Sequence, residues 1–243
     1  MANVRFLATG DIALSATNNN SNNPYSKKNK KKKEQENKVL VAKTENQRNY
    51  IRSIIENDIT FCTGPSGTGK SFIVSGIASE HLEKDQIESI IVTRPLVCTG
   101  KDIGSLPGEL NEKIQPYLQP MQENLKYFLG RDKFGLYYNT RRIRFEPLET
   151  MRGSTFHNSY MILDEAQNCT LEQIKMFITR MGENSKVIIN GDTKQTDLYK
   201  NDSLMYCIEK LKNIHGIGFC KLDYGDIQRN GILGAVLHAL EGD

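Results

Sequence analysis

Tryptophan is absent from this 243-residue chain, and cysteine is scarce. The five cysteines (Cys62, Cys98, Cys169, Cys207, Cys220) are odd in number, lie far apart and form no CxxC pair. That pattern supports neither a zinc knuckle nor a disulfide framework, and a reducing cytoplasm is the expected compartment. The four histidines lack metal-ligand spacing. No run approaches ~18 consecutive apolar residues, so no membrane-spanning helix is expected. A secretory signal is not expected either, because Phe6 to Leu14 is broken by Thr9, Gly10 and Asp11. Charge of one sign is also lacking: the net is only +3, which excludes a globally basic nucleic-acid coat.

The near-neutral total hides an asymmetry. Residues 1–43 carry nine Lys/Arg and three acids, whereas the remaining 200 residues carry 23 basic and 26 acidic side chains. Within the basic head, Asn fills five of the six positions 18–23 and Lys six of the seven positions 27–33. Such a segment has no apolar surface to offset its ordering entropy and is expected to be a disordered, solvated linker, with weak attraction to nucleic acid as the rival reading. The head is too short to hold a nuclease domain. Length and composition then leave one globular domain from residue 44 onward.

That domain reads as α/β. Thr44 with Gln47 has the spacing of a capping box, opening a helix through Tyr50, Ile51, Ile54 and Ile55. Strands are expected at 59–63, 89–93, 160–163, 186–190 and 217–222, and helices at 72–82, 171–181, 203–211 and 232–240. Thr170 with Gln173 is a second capping-box spacing. The prolines and glycines of 99–120 predict an irregular, largely loop segment that leaves room for helical pieces around Glu109 to Ile114, and Arg141 to Phe145 suggests a short hairpin. Strands alternating with helices imply a mostly parallel sheet covered on both faces.

Three motifs carry chemistry. Gly64-Pro65-Ser66-Gly67-Thr68-Gly69-Lys70-Ser71 fits the phosphate-binding loop pattern without departure, between a predicted strand and helix. Its glycines let several backbone N–H groups face one phosphate chain, Lys70 is placed for the β and γ phosphates, and Ser71 for Mg²⁺. Tyr160 to Glu165 is an apolar strand ending in two acids, in which Asp164 is the candidate Mg²⁺ partner and Glu165 the candidate base for an attacking water. Gly191-Asp192-Thr193-Lys194-Gln195 follows another strand, so that Gln195 is placed to sense a γ-phosphate, the plain alternative being a Gly-Asp turn. Gln47 suits either the capping box or the edge of an adenine, since its amide both donates and accepts.

On these residues the chain resembles the PhoH-like family of phosphate-starvation-inducible ATPases, bacteriophage members in particular. The resemblance covers residues 44–240. It rests on Gly64 to Ser71, Thr93-Arg94-Pro95, the Leu106-Pro107-Gly108 loop, Met151-Arg152-Gly153, Asp164-Glu165-Ala166-Gln167-Asn168, Thr179-Arg180-Met181-Gly182, Gly191-Asp192 with Gln195, and Asp226 to Arg229. Ser71 stands where threonine is more usual and keeps the hydroxyl; Asn230 follows Arg229 where a histidine is common. The resemblance implies a RecA-like P-loop NTPase fold, like the first motor domain of superfamily 1 helicases. It also implies Mg²⁺-dependent ATP hydrolysis coupled to single-stranded RNA or DNA, with RNA favoured, and Gln167 as a link from nucleotide to strand.

Only one such domain fits the length, so the cation at the γ-phosphate is expected from a second subunit, in a homo-oligomeric ring of six by the resemblance. Arg229 and Arg180 are the candidate trans arginines, with surface salt bridges as the alternative reading. By resemblance Thr93, Arg94 and Lys101 touch a strand's backbone. Arg141, Arg142 and Arg144, interleaved with aromatics across 131–152, suit a single strand equally well as a solvated hairpin whose aromatics are core. A nucleotide-gated binding module and a small-molecule phosphotransferase are the rival functions. The paired Asp164-Glu165 and the Gly-Asp-x-x-Gln string argue against the second.

Overall fold

The computed structural model describes residues 38–95, 110–192 and 203–227, with residues 236 and 239. The described fold starts before residue 44. Leu40 and Ala42 alternate with exposed neighbours and are buried to 4% and 1%, so the basic flanks Lys38 and Lys43 enclose a stretch that packs into the core.

The chain then lays down α1 (Glu45–Glu56), β1 (Ile59–Thr63), α2 (Lys70–Glu83), β2 (Ser89–Thr93), α3 (Leu110–Leu129), α4 (Arg131–Asn139), β3 (Ile143–Phe145), β4 (Ser159–Leu163), α5 (Leu171–Ile178), β5 (Lys186–Gly191), α6 (Ser203–Leu211) and β6 (Ile217–Lys221). The strands form one sheet in the order β3-β2-β4-β5-β1-β6, with every pairing parallel. Parallel strands need crossovers, and the helices that supply them cover both faces. Alternate strand residues serve the two layers. Ile90, Val92, Ile162 and Ile188 pack with α1, α2 and α3, while Ile91, Met161, Leu163 and Ile189 pack with Ile174 and Phe177 of α5 and Leu204 of α6. The predicted α/β class, strand positions and principal helices are those observed. The last predicted helix, 232–240, lies outside the described residues apart from 236 and 239, which are helical.

Two local expectations are corrected. The segment read as largely loop up to residue 120 contains more than half of α3, a 20-residue helix that runs through Pro116 and Pro120. A proline inside a helix removes a donor and costs about 3 kcal/mol. Here Leu118, Met121, Leu125, Phe128 and Leu129 are all buried, and that packing overrides the local penalty. Arg94 also donates to the Tyr117 carbonyl at 3.2 Å, within the stretch where the proline at 120 thins the hydrogen-bond ladder. The expected hairpin is likewise absent. Residues 131–139 are helical, and β3 is an edge strand parallel to β2.

Candidate active site

The loops that leave β1, β2, β4 and β5 all emerge at the carboxyl edge of the sheet, where ligands of open α/β folds bind. They surround a cavity of about 550 Å³ lined by residues including Gln47, Lys70, Ser71, Arg94, Asp164 and Glu165. The phosphate-binding loop takes its shape from its glycines. Gly64, Gly67 and Gly69 have φ of 154°, 85° and 95°, and a Cβ on Gly64 would lie 2.5 Å from the Leu222 carbonyl. Inside the loop, Thr68 Oγ1 donates to the Pro65 carbonyl at 2.9 Å, and Lys70 Nζ donates to the carbonyls of Gly64 and Pro65. The lysine head thus lies within the turn it serves, on a flexible stem that can deliver it to an anion.

Ser71 Oγ donates to Asp164 Oδ1 at 2.9 Å. Burial, and then the neighbouring Glu165 charge, push the Asp164 carboxyl up from its ordinary range. The Ser71 hydrogen bond and the cations Arg94 and Lys70 act in the opposite direction. A hydroxyl beside a carboxylate is a hard oxygen donor pair that fits Mg²⁺, and a buried carboxylate so disfavoured in its charged form gains from a nearby divalent cation. Among the described residues no cluster of three His, Cys, Asp or Glu could hold a metal by itself.

Glu165 adopts a left-handed backbone conformation, φ 58°, which costs a non-glycine residue about 1–3 kcal/mol and persists only where its surroundings determine it. Those surroundings grip both carboxylate oxygens. Arg94 Nη2 lies 3.3 Å from Oε1, and Gln167 Nε2 donates to Oε2 at 2.7 Å. Gln167 Oε1 accepts from the Asp192 backbone N–H at 2.9 Å. The acidic strand end and the Gly-Asp turn are therefore one hydrogen-bonded unit. The turn is tightly packed at Gly191, where a Cβ would lie 2.4 Å from Leu204 Cδ2 and 3.2 Å from the Gln167 backbone N.

With this geometry in place, the chain can be set beside known proteins. The family model described as PhoH-like protein matches residues 39–241. The chain belongs to the PhoH-like family. It is 41% identical over 206 residues to a PhoH-like protein of Bacillus subtilis, covering 84% of this chain and 65% of that one. It is 39% identical over 206 residues to a PhoH-like protein of Synechocystis sp., covering 84% and 63%. The chain thus spans less than two thirds of the length of these relatives. Among solved structures, the large terminase from a thermophilic bacteriophage aligns with a TM-score of 0.50 at 12% identity, over 80% of this chain and 49% of that one. The RecA-like P-loop NTPase fold expected from the resemblance is the fold of this PhoH-like chain.

The predicted site residues divide into three groups. Those of the phosphate-binding loop, with Asp164, Glu165 and Gln47, share the cavity edge. Gln195, Lys101 and Arg229 lie outside the described residues. The remainder are placed otherwise than a shared strand-binding surface requires. Thr93 is 0% exposed, at the end of an interior strand, so its side chain is not available to a strand. Arg142 sits at the opposite, amino-terminal edge of the sheet, bound to Asp85 and to the carbonyls of Leu82, Ile87 and Glu88. Exposed Arg141 precedes it, and Arg144 packs over the Phe156 ring at 4.8 Å. Phe134, one of the interleaved aromatics, is buried. Arg180 closes α5 at that same far edge, donating to the Ser154 carbonyl at 3.2 Å and to Thr179, and does not reach the phosphate-binding loop of its own chain. Arg94 remains, but at the nucleotide cavity and paired with Glu165.

Two features escaped the sequence reading. Asp226 is buried and accepts from Thr44 Oγ1 and, at 2.9 Å, from Asn46 Nδ2, which ties the chain after β6 to the start of α1. Gln47 forms one half of the expected capping box, its N–H donating to Thr44 Oγ1 at 3.2 Å, while its side-chain amide is committed elsewhere. Its Oε1 accepts from the Lys43 N–H at 2.9 Å, and its Nε2 donates to the Thr68 carbonyl at 3.0 Å, bracing the phosphate-binding loop. Gln47→Ala strands both partners and is expected to cost about 1–3 kcal/mol of stability in a denaturant melt. If bracing is its role, Gln47→Glu, which keeps the acceptor and loses the donor, raises the KM for ATP and GTP alike. A selective loss of ATP over GTP would instead make Gln47 an adenine reader.

Proposed function

We propose that this chain is a Mg²⁺-dependent ATPase whose turnover is coupled to binding, translocation along or remodelling of single-stranded nucleic acid, RNA before DNA, in an oligomeric ring. The observation that carries the hydrolytic reading is the meeting of Lys70 and Ser71 with Asp164 and Glu165 in one cavity, the carboxylate of Glu165 being aimed by Arg94 and Gln167. The phosphate-binding loop holds the triphosphate through its N–H groups and Lys70. Ser71 and Asp164 would hold the metal, which when bound would supply neutralisation of charge on the phosphates. Glu165 orients the attacking water and accepts its proton.

The ring rests on charge. Among the described residues the guanidinium that lines the cavity in cis, Arg94, is engaged by Glu165, so a further cation at the γ-phosphate is drawn from a neighbouring subunit, with Arg229 and Arg180 as the candidates. A cytoplasmic setting suits the free thiols of Cys62, Cys169, Cys207 and Cys220. Among the described residues no helix is long and apolar enough to cross a membrane.

The test is phosphate release measured against oligomeric state, with and without single-stranded RNA and DNA, using Lys70→Ala as the blank. Stimulation by single strands, confined to the assembled species, is the expected result. Full activity in a monomer removes the trans arginine. Unchanged turnover with every strand reduces the protein to an uncoupled ATPase, and turnover that requires an added acceptor makes it a phosphotransferase.

A further inference from the structure

The aromatics of 131–152 pack on one another, Phe134 against Tyr138 and Phe145, and Arg142 is held over Tyr137 and by Asp85, whereas a different basic-aromatic surface is assembled from residues scattered in sequence. Next to the nucleotide cavity lies a second cleft, of about 470 Å³, walled by α2, by the carboxyl end of α3 and by the start of α4. Its aromatic floor is Phe72 with Tyr127 and Phe128, at centroid separations of 5.3 and 4.7 Å from Phe72. Tyr127 is 45% exposed, a large ring left at the surface with Lys38 Nζ 3.7 Å above its centroid. Lys126 and exposed Arg131 complete the lining, against one carboxylate, Glu123, which pairs with Lys126 at 2.8 Å. Arg131 opens α4, the positive end of the helix dipole, where a cation is electrostatically disfavoured. In sequence, the lysine run at 27–33 precedes Lys38 by five residues.

We propose that this cleft is the binding site for single-stranded nucleic acid, with Tyr127 stacking a base and Lys38 and Arg131 neutralising flanking phosphates. The assignment deepens the function proposed above and rests on its coupling to a strand. An exposed aromatic ring with Lys38 against one face and Arg131 in the same lining is a composition that suits single strands, because every base has a face to stack and every nucleotide a charge to neutralise. A peptide partner would need matching carboxylates but no ring platform. The cleft also has a mechanical link to the chemistry. Phe72 and Asn124 line both cavities, and Phe72 directly follows Lys70 and Ser71 in the first turn of α2. A strand in the cleft therefore presses on the turn that carries the phosphate and metal ligands.

The experiment uses the full chain and fluorescein-labelled poly(U) and poly(dT) oligonucleotides, with anisotropy titrations over a range of salt. Tyr127→Ala is expected to weaken binding about five- to 150-fold. Lys38→Ala/Arg131→Ala is expected to reduce the slope of log K against log salt by about 1.4, a change that a merely structural role would not produce. Strand-free ATP hydrolysis stays at the wild-type rate in both, because neither touches the nucleotide cavity, while stimulation by strands is lost. Variants that bind the oligonucleotides with wild-type affinity and slope overturn the cleft while leaving the coupling intact. A raised KM for ATP with unchanged strand affinity also overturns it, by making the cleft part of the nucleotide site. Wild-type protein that binds no single strand at any salt overturns the coupling itself, and with it the cleft.

Discussion

Glu165→Gln is expected to fold normally, bind nucleotide as the wild type does, and turn over about 10²- to 10⁴-fold more slowly, the range a positioned general base contributes. Glutamine has the same shape, so the hydrogen bond from Gln167 Nε2 can be retained by the amide oxygen. The amide nitrogen then faces Arg94, which loses its ionic partner but keeps the Tyr117 carbonyl. What disappears is proton acceptance from water. The measurement is a single-turnover assay of phosphate release, paired with nucleotide binding by a fluorescent analogue, so that binding and chemistry are read separately. A wild-type single-turnover rate would make Glu165 a purely structural anchor for the β4 loop. A drop in kcat with unchanged affinity assigns it to the chemical step.

The parts of this site that were legible in the sequence are those whose chemistry is local. The loop from Gly64 to Ser71 needs its glycines and its lysine at fixed separations along one stretch of chain, so spacing alone announced it. Asp164 and Glu165 follow an apolar run for the same reason, and Thr170 with Gln173 forms the expected capping box, with both reciprocal hydrogen bonds present. Contacts between distant segments were not legible. Nothing near Arg94 in sequence says that its guanidinium meets Glu165 rather than a strand, since both outcomes place an arginine after a strand. Gln47 illustrates the same limit: the spacing to Thr44 was right and Thr44 Oγ1 does accept from the Gln47 N–H at 3.2 Å, but the side-chain amide found better partners in Lys43 and Thr68. At α3 local propensity was overruled by a buried face. At β3 three residues could not announce that their partner strand runs parallel.

Asp164→Asn is expected to act in opposite directions on stability and on activity, and that opposition is its signature. Burial and the Glu165 charge raise the Asp164 carboxyl in the folded chain above its value in the unfolded one. The folded state then binds the proton more tightly, so stability falls as pH rises from the ordinary aspartate range through the raised folded value, and the loss persists at neutral pH. Asparagine carries no such penalty and its oxygen still accepts from Ser71 Oγ. In metal-free buffer at neutral pH the variant therefore melts above the wild type, and the two converge below the ordinary aspartate pKa. Adding Mg²⁺ with ATP reverses the order. A divalent ion at Ser71 and Asp164 offsets the buried charge, so the wild type gains a ligand-dependent rise in Tm that the variant lacks. Turnover in the variant falls by about two orders of magnitude or more, because a metal clamp on the phosphates supplies several kcal/mol and each ~1.4 kcal/mol is tenfold in rate. Equal melting of the two proteins in metal-free buffer across this pH range would show that Asp164 is solvated rather than buried, and would leave the metal site without its buried carboxylate.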